Sequence, residues 1–219
     1  MNFNHAIALL DFDGTLMDSM GDLVGMTLET LSHWGLSAAS HEVESLMGQP
    51  TETRLRHHGM PADQLAHATA FFRKLHAQSR YARSQPMAGA ERWLASTPHL
   101  RKWVVSASPE SAVRAGLKWH GLDRYFEHVM GAPAASNLDK VAALAPYRGS
   151  FAKACCWFLG DQQGDAEAAA SIGARFALMH NPRNTALVPL AARVLTNFES
   201  LLETSLEGTW NLSLSSHRP

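Results

Sequence analysis

Four short runs, at residues 6–10, 102–105, 155–159 and 175–179, are rich in Val, Leu, Ile and Ala and show no polar residue at every second place. A strand with one wet face alternates, whereas a strand covered on both faces does not, so these runs read as parallel strands buried in the middle of a sheet. Helical candidates lie between them: 109–120 stopped by Gly121, 138–145 stopped by Pro146, and 165–172 stopped by Gly173. Parallel neighbours can be joined only by a crossover, and a helix supplies it. The expected architecture is a Rossmann-like three-layer α/β/α parallel sheet.

One interval departs from that rhythm. Residues 17–83 offer no strand and read as helical throughout. Leu23, Val24, Leu28, Leu31 and Trp34 share one helical face; Ser40 is placed to cap a short helix holding Val43, Leu46 and Met47; Leu65, Ala68, Phe72 and Leu75 mark a longer one. This predicts a four-helix insertion after the first strand, with Gln85-Pro86 marking the return to the sheet. The domains are then 1–16 together with 84–205 as the α/β core, 17–83 as the helical unit, and 206–219 as a loosely ordered tail.

Nineteen basic against twenty acidic residues give a net charge of -1, which leaves no global field for gripping nucleic acid or an anionic membrane. Any bound anion must be held locally. Cys155 and Cys156 are adjacent and on a strand point to opposite faces, so they are read as small buried hydrophobes without a mutual disulfide. No apolar stretch approaches the roughly 20 residues needed to span a bilayer, and the first residues lack a charged leader and cleavage site; the expected compartment is the cytoplasm. Trp93, Trp103, Trp119 and Trp157 sit in apolar contexts and are assigned to the core.

Ligands of doubly wound sheets collect beyond the carboxyl ends of the strands, and there this chain keeps its charge. Asp11 and Asp13 follow the first strand in DFDGT, Ser106 follows the second in VVSAS, and Asp161 and Asp165 follow another in GDQQGD; Lys140 lies just before it in sequence, in SNLDKVAAL. Four carboxylates on one rim repel one another unless a cation joins them, and a hard divalent ion with oxygen ligands resolves the conflict. Asp-x-Asp-Gly alone is an ordinary turn sequence. A buried strand ahead of it, a second acidic motif and an intervening lysine turn it into a candidate reaction centre.

In this order of motifs, over residues 6–202, the chain resembles the haloacid dehalogenase-like hydrolases, in the subgroup with a helical cap inserted after the first motif, similar to phosphoglycolate phosphatase-like enzymes. The resemblance implies a Mg²⁺-dependent phosphatase acting on a small phosphorylated metabolite through an aspartyl phosphate. Asp11 is the expected nucleophile, and Asp13 the acid that protonates the leaving oxygen and then the base that takes a proton from water. Asp11, Asp161 and the backbone carbonyl of Asp13 are the expected metal ligands, with Asp165 beside them holding a metal-bound water or Lys140. Ser106 and Lys140, with Gly14 and Thr15 in a turn approaching the substrate closely, are expected to hold the phosphoryl oxygens. Lys153 competes with Lys140, and Ser106 and Ser108 are also candidate caps for the helix at Pro109. Gln49 and Arg54, in GQPTETR, are expected substrate contacts from the cap; His57 and His58 read as solvated.

A dehalogenase need not protonate an alkoxide and lacks the second acid, so Asp13 favours phosphoryl transfer. A phosphoglucomutase-like phosphoryl transferase shares every core motif and stays open. A phosphoacceptor signalling or binding module is the non-enzyme alternative, opposed by the helical insertion and by Asp13. Monomer and homodimer are both compatible with the sequence.

Overall fold

A computed structural model describes residues 6–133, 138–151 and 156–205. In chain order the elements are β1 (Ile7–Leu10), β2 (Met17–Asp18), α1 (Met20–His33), α2 (Ser40–Ser45), α3 (Thr51–His57), α4 (Leu65–Ser79), β3 (Gln85–Pro86), α5 (Ala90–Ser96) and β4 (Arg101–Pro109). There follow α6 (Glu110–Trp119), β5 (His128–Ala132), α7 (Lys140–Leu144), α8 (Arg148–Phe151), β6 (Cys156–Gly160), α9 (Gln163–Ile172), β7 (Arg175–Met179), β8 (Arg193–Leu195) and α10 (Glu199–Ser205).

The four apolar runs become β1, β4, β6 and β7, and they form the middle of a six-stranded sheet of order β5-β4-β1-β6-β7-β8. All pairings in it are parallel. Every residue of β1 is fully buried, because the strand is sandwiched: Ala8 and Leu10 face one core with Trp93, Leu94, Val113, Leu117 and Leu201, while Ile7 and Leu9 face the other with Leu144, Phe151, Ala168 and Ile172. Burying each such aliphatic side chain stabilises the fold by about 1.5–3 kcal/mol. This is the three-layer α/β/α arrangement that the unbroken runs predict.

Two strands of this sheet escaped the sequence reading. β5, HVMGA, and β8, RVL, occupy the two edges of the sheet, where short length, a His, a Gly and an exposed Val194 blunt the signal, as edge strands commonly do. Trp119 is a correction: it is 56 % exposed. The buried face of α6 is Ala112, Val113, Gly116 and Leu117, and the helical period carries that face on to residue 120, leaving 119 pointing away. Trp93 and Trp103 are in the core as expected, and Trp157 is half-buried at its margin. Cys156 is buried, as expected of a small hydrophobe in a strand; Cys155, Lys153 and the tail lie outside the described residues.

The interval 17–83 contains four helices, α1 to α4, around a small core of its own formed by Val24, Leu31, Val43, Leu55, Met60, Leu65 and Ala68. It is not wholly helical. Met17–Asp18 pairs antiparallel with Gln85–Pro86, so the chain leaves the sheet and returns to it side by side. Asp22, near the start of α1, reinforces the junction, accepting hydrogen bonds from Arg83 Nε at 2.9 Å and Ser84 Oγ at 2.7 Å. Ser40 is the first residue of α2 and not its cap; Ala39 holds the cap position and its amide donates to Glu42 Oε2 at 2.9 Å. Among the described residues no helix is long and apolar enough to cross a membrane.

Candidate active site

The carboxyl ends of β1, β4 and β6 meet at a cavity of about 390 Å³ whose opposite wall is built by α1, α3, α4 and the 47–51 loop. Asp11 stands directly beyond β1. Its amide donates to Leu159 O at 2.8 Å, which extends the β1–β6 ladder by one residue and fixes the backbone beneath the side chain. The carboxylate is 4 % exposed, and Lys140 Nζ lies 2.7 Å from its Oδ1. Burial pushes the Asp11 carboxyl well above the usual carboxylate range; Lys140 opposes that rise, and Asp165 and Asp161 add to it.

Lys140 opens α7, whose N-terminus is capped by Asp139 through the amides of Val141 and Ala142. Its ammonium is shared between Asp11 and Asp165, with Asp165 Oδ1 at 2.6 Å. Burial opposes its charge, but the two flanking carboxylates prevail and hold it fully protonated. Asp165 has no oxygen to spare: Oδ1 accepts from Lys140, and Oδ2 accepts from the amides of Asp161 at 3.1 Å and Gln162 at 3.0 Å.

Asp161 completes the group. It is 1 % exposed; its Oδ2 accepts from Gln162 Nε2 at 2.8 Å, while its Oδ1 is buried with no hydrogen-bond partner. Burial first, and then Asp165, push its carboxyl up to about 7. Oxygen atoms of Asp11, Asp161 and Asp165 lie within 4.8 Å of one another. A buried, unpartnered carboxylate oxygen beside two further carboxylates is costly unless a cation meets it, and an all-oxygen donor set suits a hard ion such as Mg²⁺. The residues present therefore fit the metal expected from the sequence.

Asp13 belongs to a different set of contacts. Ser19 Oγ donates to its Oδ1 at 2.6 Å, and its Oδ2 accepts from Ser108 Oγ at 2.5 Å and Tyr81 Oη at 3.2 Å. The carboxylate cluster consists of Asp11, Asp161 and Asp165, and the side chain of Asp13 faces hydroxyls. Gly14, φ +74°, turns the chain immediately afterwards; a Cβ there would stand 2.6 Å from Asp161 Oδ2. Its amide donates to Met17 O at 2.8 Å, so the DFDGT turn folds back on itself and keeps Asp11 and Asp13 adjacent.

The other candidates divide. Ser106, at the end of β4, lines the cavity, buried, its Oγ accepting from the Ser108 amide at 3.1 Å. Gly14 lines it too, whereas Thr15 is fully buried, with an unpartnered Oγ1, and is not part of its wall. Gln49 and Arg54 face it from the helical side. Arg54 is 5 % exposed: Nη2 donates to Thr51 Oγ1 at 3.2 Å, Nη1 lies 2.7 Å from Met47 Sδ, and Nε has no partner. Burial lowers its pKa to about 10, against the pull of Asp13.

Sequence reasoning passed over several residues here. Ser108 was a rival helix cap, but Pro109 occupies that position and the serine reaches Asp13 instead. Asn184, buried, donates from Nδ2 to the backbone oxygens of Asp161 and Met179, each at 2.9 Å, and so anchors the loop after β6. Its only signal is Asn flanking Pro182-Arg183, which reads as a turn. Ser19, Tyr81 and His76 carry no motif of their own. Burial and Asp13 push the Tyr81 phenol well up, so it remains a hydrogen-bond donor.

The family model described as haloacid dehalogenase-like hydrolase matches residues 8–179. No curated protein matches the sequence. Among solved structures, a haloacid dehalogenase-like family hydrolase from Streptococcus pneumoniae superposes with a TM-score of 0.77 at 14% identity, covering 92% of this chain and 99% of that one. A predicted phosphatase from Clostridium acetobutylicum gives a TM-score of 0.77 at 17% identity over 94% and 100% of the two chains. A predicted phosphoglycolate phosphatase from Haemophilus somnus gives 0.75 at 18%, over 92% and 98%. At these identities the likeness is one of fold.

Proposed function

The chain belongs to the haloacid dehalogenase-like hydrolase family, and from that premise we propose that it is a Mg²⁺-dependent phosphatase of a small phosphorylated metabolite, working through an aspartyl phosphate. The observation that carries this reading is the buried group of Asp11, Lys140, Asp165 and Asp161, in which one carboxylate oxygen of Asp161 is left without a partner. Names borne by structures of similar fold, phosphatases among them, agree with it.

Asp11 attacks phosphorus in line, forming the Asp11–phosphorus bond as the bond to the leaving oxygen breaks. Asp13 gives that oxygen its proton, and then takes a proton from the water that cleaves the aspartyl phosphate, releasing inorganic phosphate and restoring both acids. Lys140 favours the charged form of Asp11 against the effect of burial and aims it, and Asp165 holds Lys140. Ser106 meets the phosphoryl oxygens as a hydrogen-bond donor. Asp11 and Asp161, with the backbone carbonyl of Asp13, would hold Mg²⁺. When bound, the ion supplies the positive charge that lets an anionic nucleophile approach an anionic phosphate.

Residues 17–83 act in this reading as a cap over an α/β core made of 1–16 and 84–205. Arg54 and Gln49 then face the part of the substrate that does not react, and the unpartnered Nε of Arg54 suits an anionic or strongly polar group there. A cap joined by two adjacent crossings is built to hinge, which admits substrate and then excludes water.

The test is phosphate release from a panel of phosphorylated metabolites, with Mg²⁺ and with EDTA. Turnover is expected only with the metal, and Asp11→Asn should abolish it while the protein stays folded. Turnover that survives EDTA or Asp11→Asn sinks the mechanism. Accumulation of a long-lived phospho-Asp11 without turnover would favour the signalling module.

A further inference from the structure

The site described so far leaves unused two buried polar side chains from the segment that closes the helical insertion. His76, near the end of α4, is 2 % exposed, and Tyr81, two residues beyond that helix, is fully buried. His76 Nε2 lies 2.5 Å from Tyr81 Oη, and the same phenol donates to Asp13 Oδ2 at 3.2 Å. The three form one chain of contacts from a helix of the insertion to the acid at the end of β1.

The surroundings hold Tyr81 in one place. Its ring meets Phe12 edge-on with centroids 4.8 Å apart and planes at 84°. On another side it lies against Gly116 of α6, where a Cβ would come within 2.8 Å of ring carbon Cδ2. Its carbonyl accepts from His120 Nε2 at 2.9 Å. The backbone reaches this position through two successive non-glycine residues with positive φ, Arg80 at 52° and Tyr81 at 54°, a conformation that persists only when surrounding contacts impose it. Tyr81 is thus packed by the core, touched by the insertion, and located where the chain passes from one to the other.

We infer that Tyr81, buttressed by His76, is a positioning residue for Asp13 that makes the reach of the acid toward the leaving oxygen depend on the seating of α4. Ser19 and Ser108 also hold Asp13, but neither links it to α4. A shift of α4 draws His76 away from a phenol that the core holds in place, and the hydroxyl loses the partner that directs its proton to Oδ2, so the carboxyl is correctly aimed only with the insertion seated. The inference rests on the phosphatase reading, because the proton that matters is the one given to an ester oxygen.

The test separates positioning from mere packing by using leaving groups of different basicity. An alkoxide needs the proton from Asp13 in order to leave, whereas nitrophenolate leaves without it. For wild type, Tyr81→Phe, His76→Phe and His76→Gln, two rates are measured. One is turnover of the alkyl ester hydrolysed fastest among phosphoglycolate, glycerol phosphate and glucose 6-phosphate. The other is the pre-steady-state burst of nitrophenolate from p-nitrophenyl phosphate.

In Tyr81→Phe the ratio of alkyl to aryl rates should fall about 10- to 100-fold, the loss expected when a catalytic group is misplaced by about an ångström. His76→Phe should lower the ratio in the same direction, and His76→Gln, which can still donate to the phenol oxygen, should restore most of it. Equal slowing of both esters, or an unchanged ratio in Tyr81→Phe and His76→Phe, overturns the inference and leaves the phosphatase reading standing. Failure of wild type on every ester overturns the phosphatase reading, and the inference with it.

Discussion

Replacing Asp161 with Asn should make the metal-free protein more stable while removing its response to Mg²⁺. Asp161 is buried and its carboxyl titrates near 7 in the folded protein, against 3.8 for an unperturbed aspartate, through burial and then Asp165. At about 1.4 kcal/mol per pH unit, ionising it in place costs on the order of 4 kcal/mol. The sign follows from proton counting. Between about pH 4 and pH 7 the folded protein keeps a proton that the unfolded chain has released, so stability falls as pH rises through that window and then levels off. Asparagine has no such proton to lose. Its amide oxygen can still accept from Gln162 Nε2, and its NH₂ would occupy the place of the unpartnered Oδ1, donating toward the neighbouring carboxylates. In EDTA at pH 7.5, Asp161→Asn should therefore melt about 5–15 °C above wild type, at roughly 2–4 °C per kcal/mol for a chain of this size, and the gap should close toward pH 4.5. Millimolar Mg²⁺ should raise the melting temperature of wild type and leave the variant unmoved. Calorimetry over a pH series with and without metal gives all of these values. A variant no more stable than wild type at pH 7.5, or a gap independent of pH, would refute the electrostatic account.

Two other substitutions probe the cavity walls. Arg54→Met keeps the bulk beside Phe72 and Met47 but removes a buried cation lacking a carboxylate partner among the described residues; denaturant midpoints should be unchanged or higher, while KM for substrates bearing a second anionic group rises about tenfold or more. Gly14→Ala meets both a positive φ and Asp161 Oδ2 at 2.6 Å, so it should lower stability by about 1–3 kcal/mol in urea titration and reduce Mg²⁺ affinity in isothermal calorimetry.

The central strands, those ending at the candidate site among them, were legible because burial on both faces demands unbroken apolar runs; β1, β4, β6 and β7 all announce themselves in this way. The edges carry no such demand, and HVMGA and RVL were missed. Acids at strand ends were legible as a rim of charge, since Asp11, Asp161 and Asp165 each follow an apolar run within a few residues. The neighbours of Asp13 were not. Tyr81 and Ser108 are 68 and 95 residues away in sequence, and a hydroxyl within hydrogen-bonding reach of a carboxylate leaves no periodic trace. Trp119 shows the converse failure: aromatic character within an amphipathic helix does not say which way the side chain points, and only the spacing of Ala112, Val113, Gly116 and Leu117 does.

The position of β1 between β4 and β6 also has a bearing on how the molecule comes into being. Ile7 pairs with Arg101 on one side and Cys156 on the other, so during synthesis the first strand waits, both edges open, through the translation of the whole helical insertion and most of the sheet. The insertion faces no such delay, because the contacts among α1 to α4 join segments close in sequence. Non-local pairings of this kind form late and leave apolar edges exposed meanwhile. The segment IALL, which leads directly into Asp11, is made before the two strands that flank it and is among the last to be enclosed.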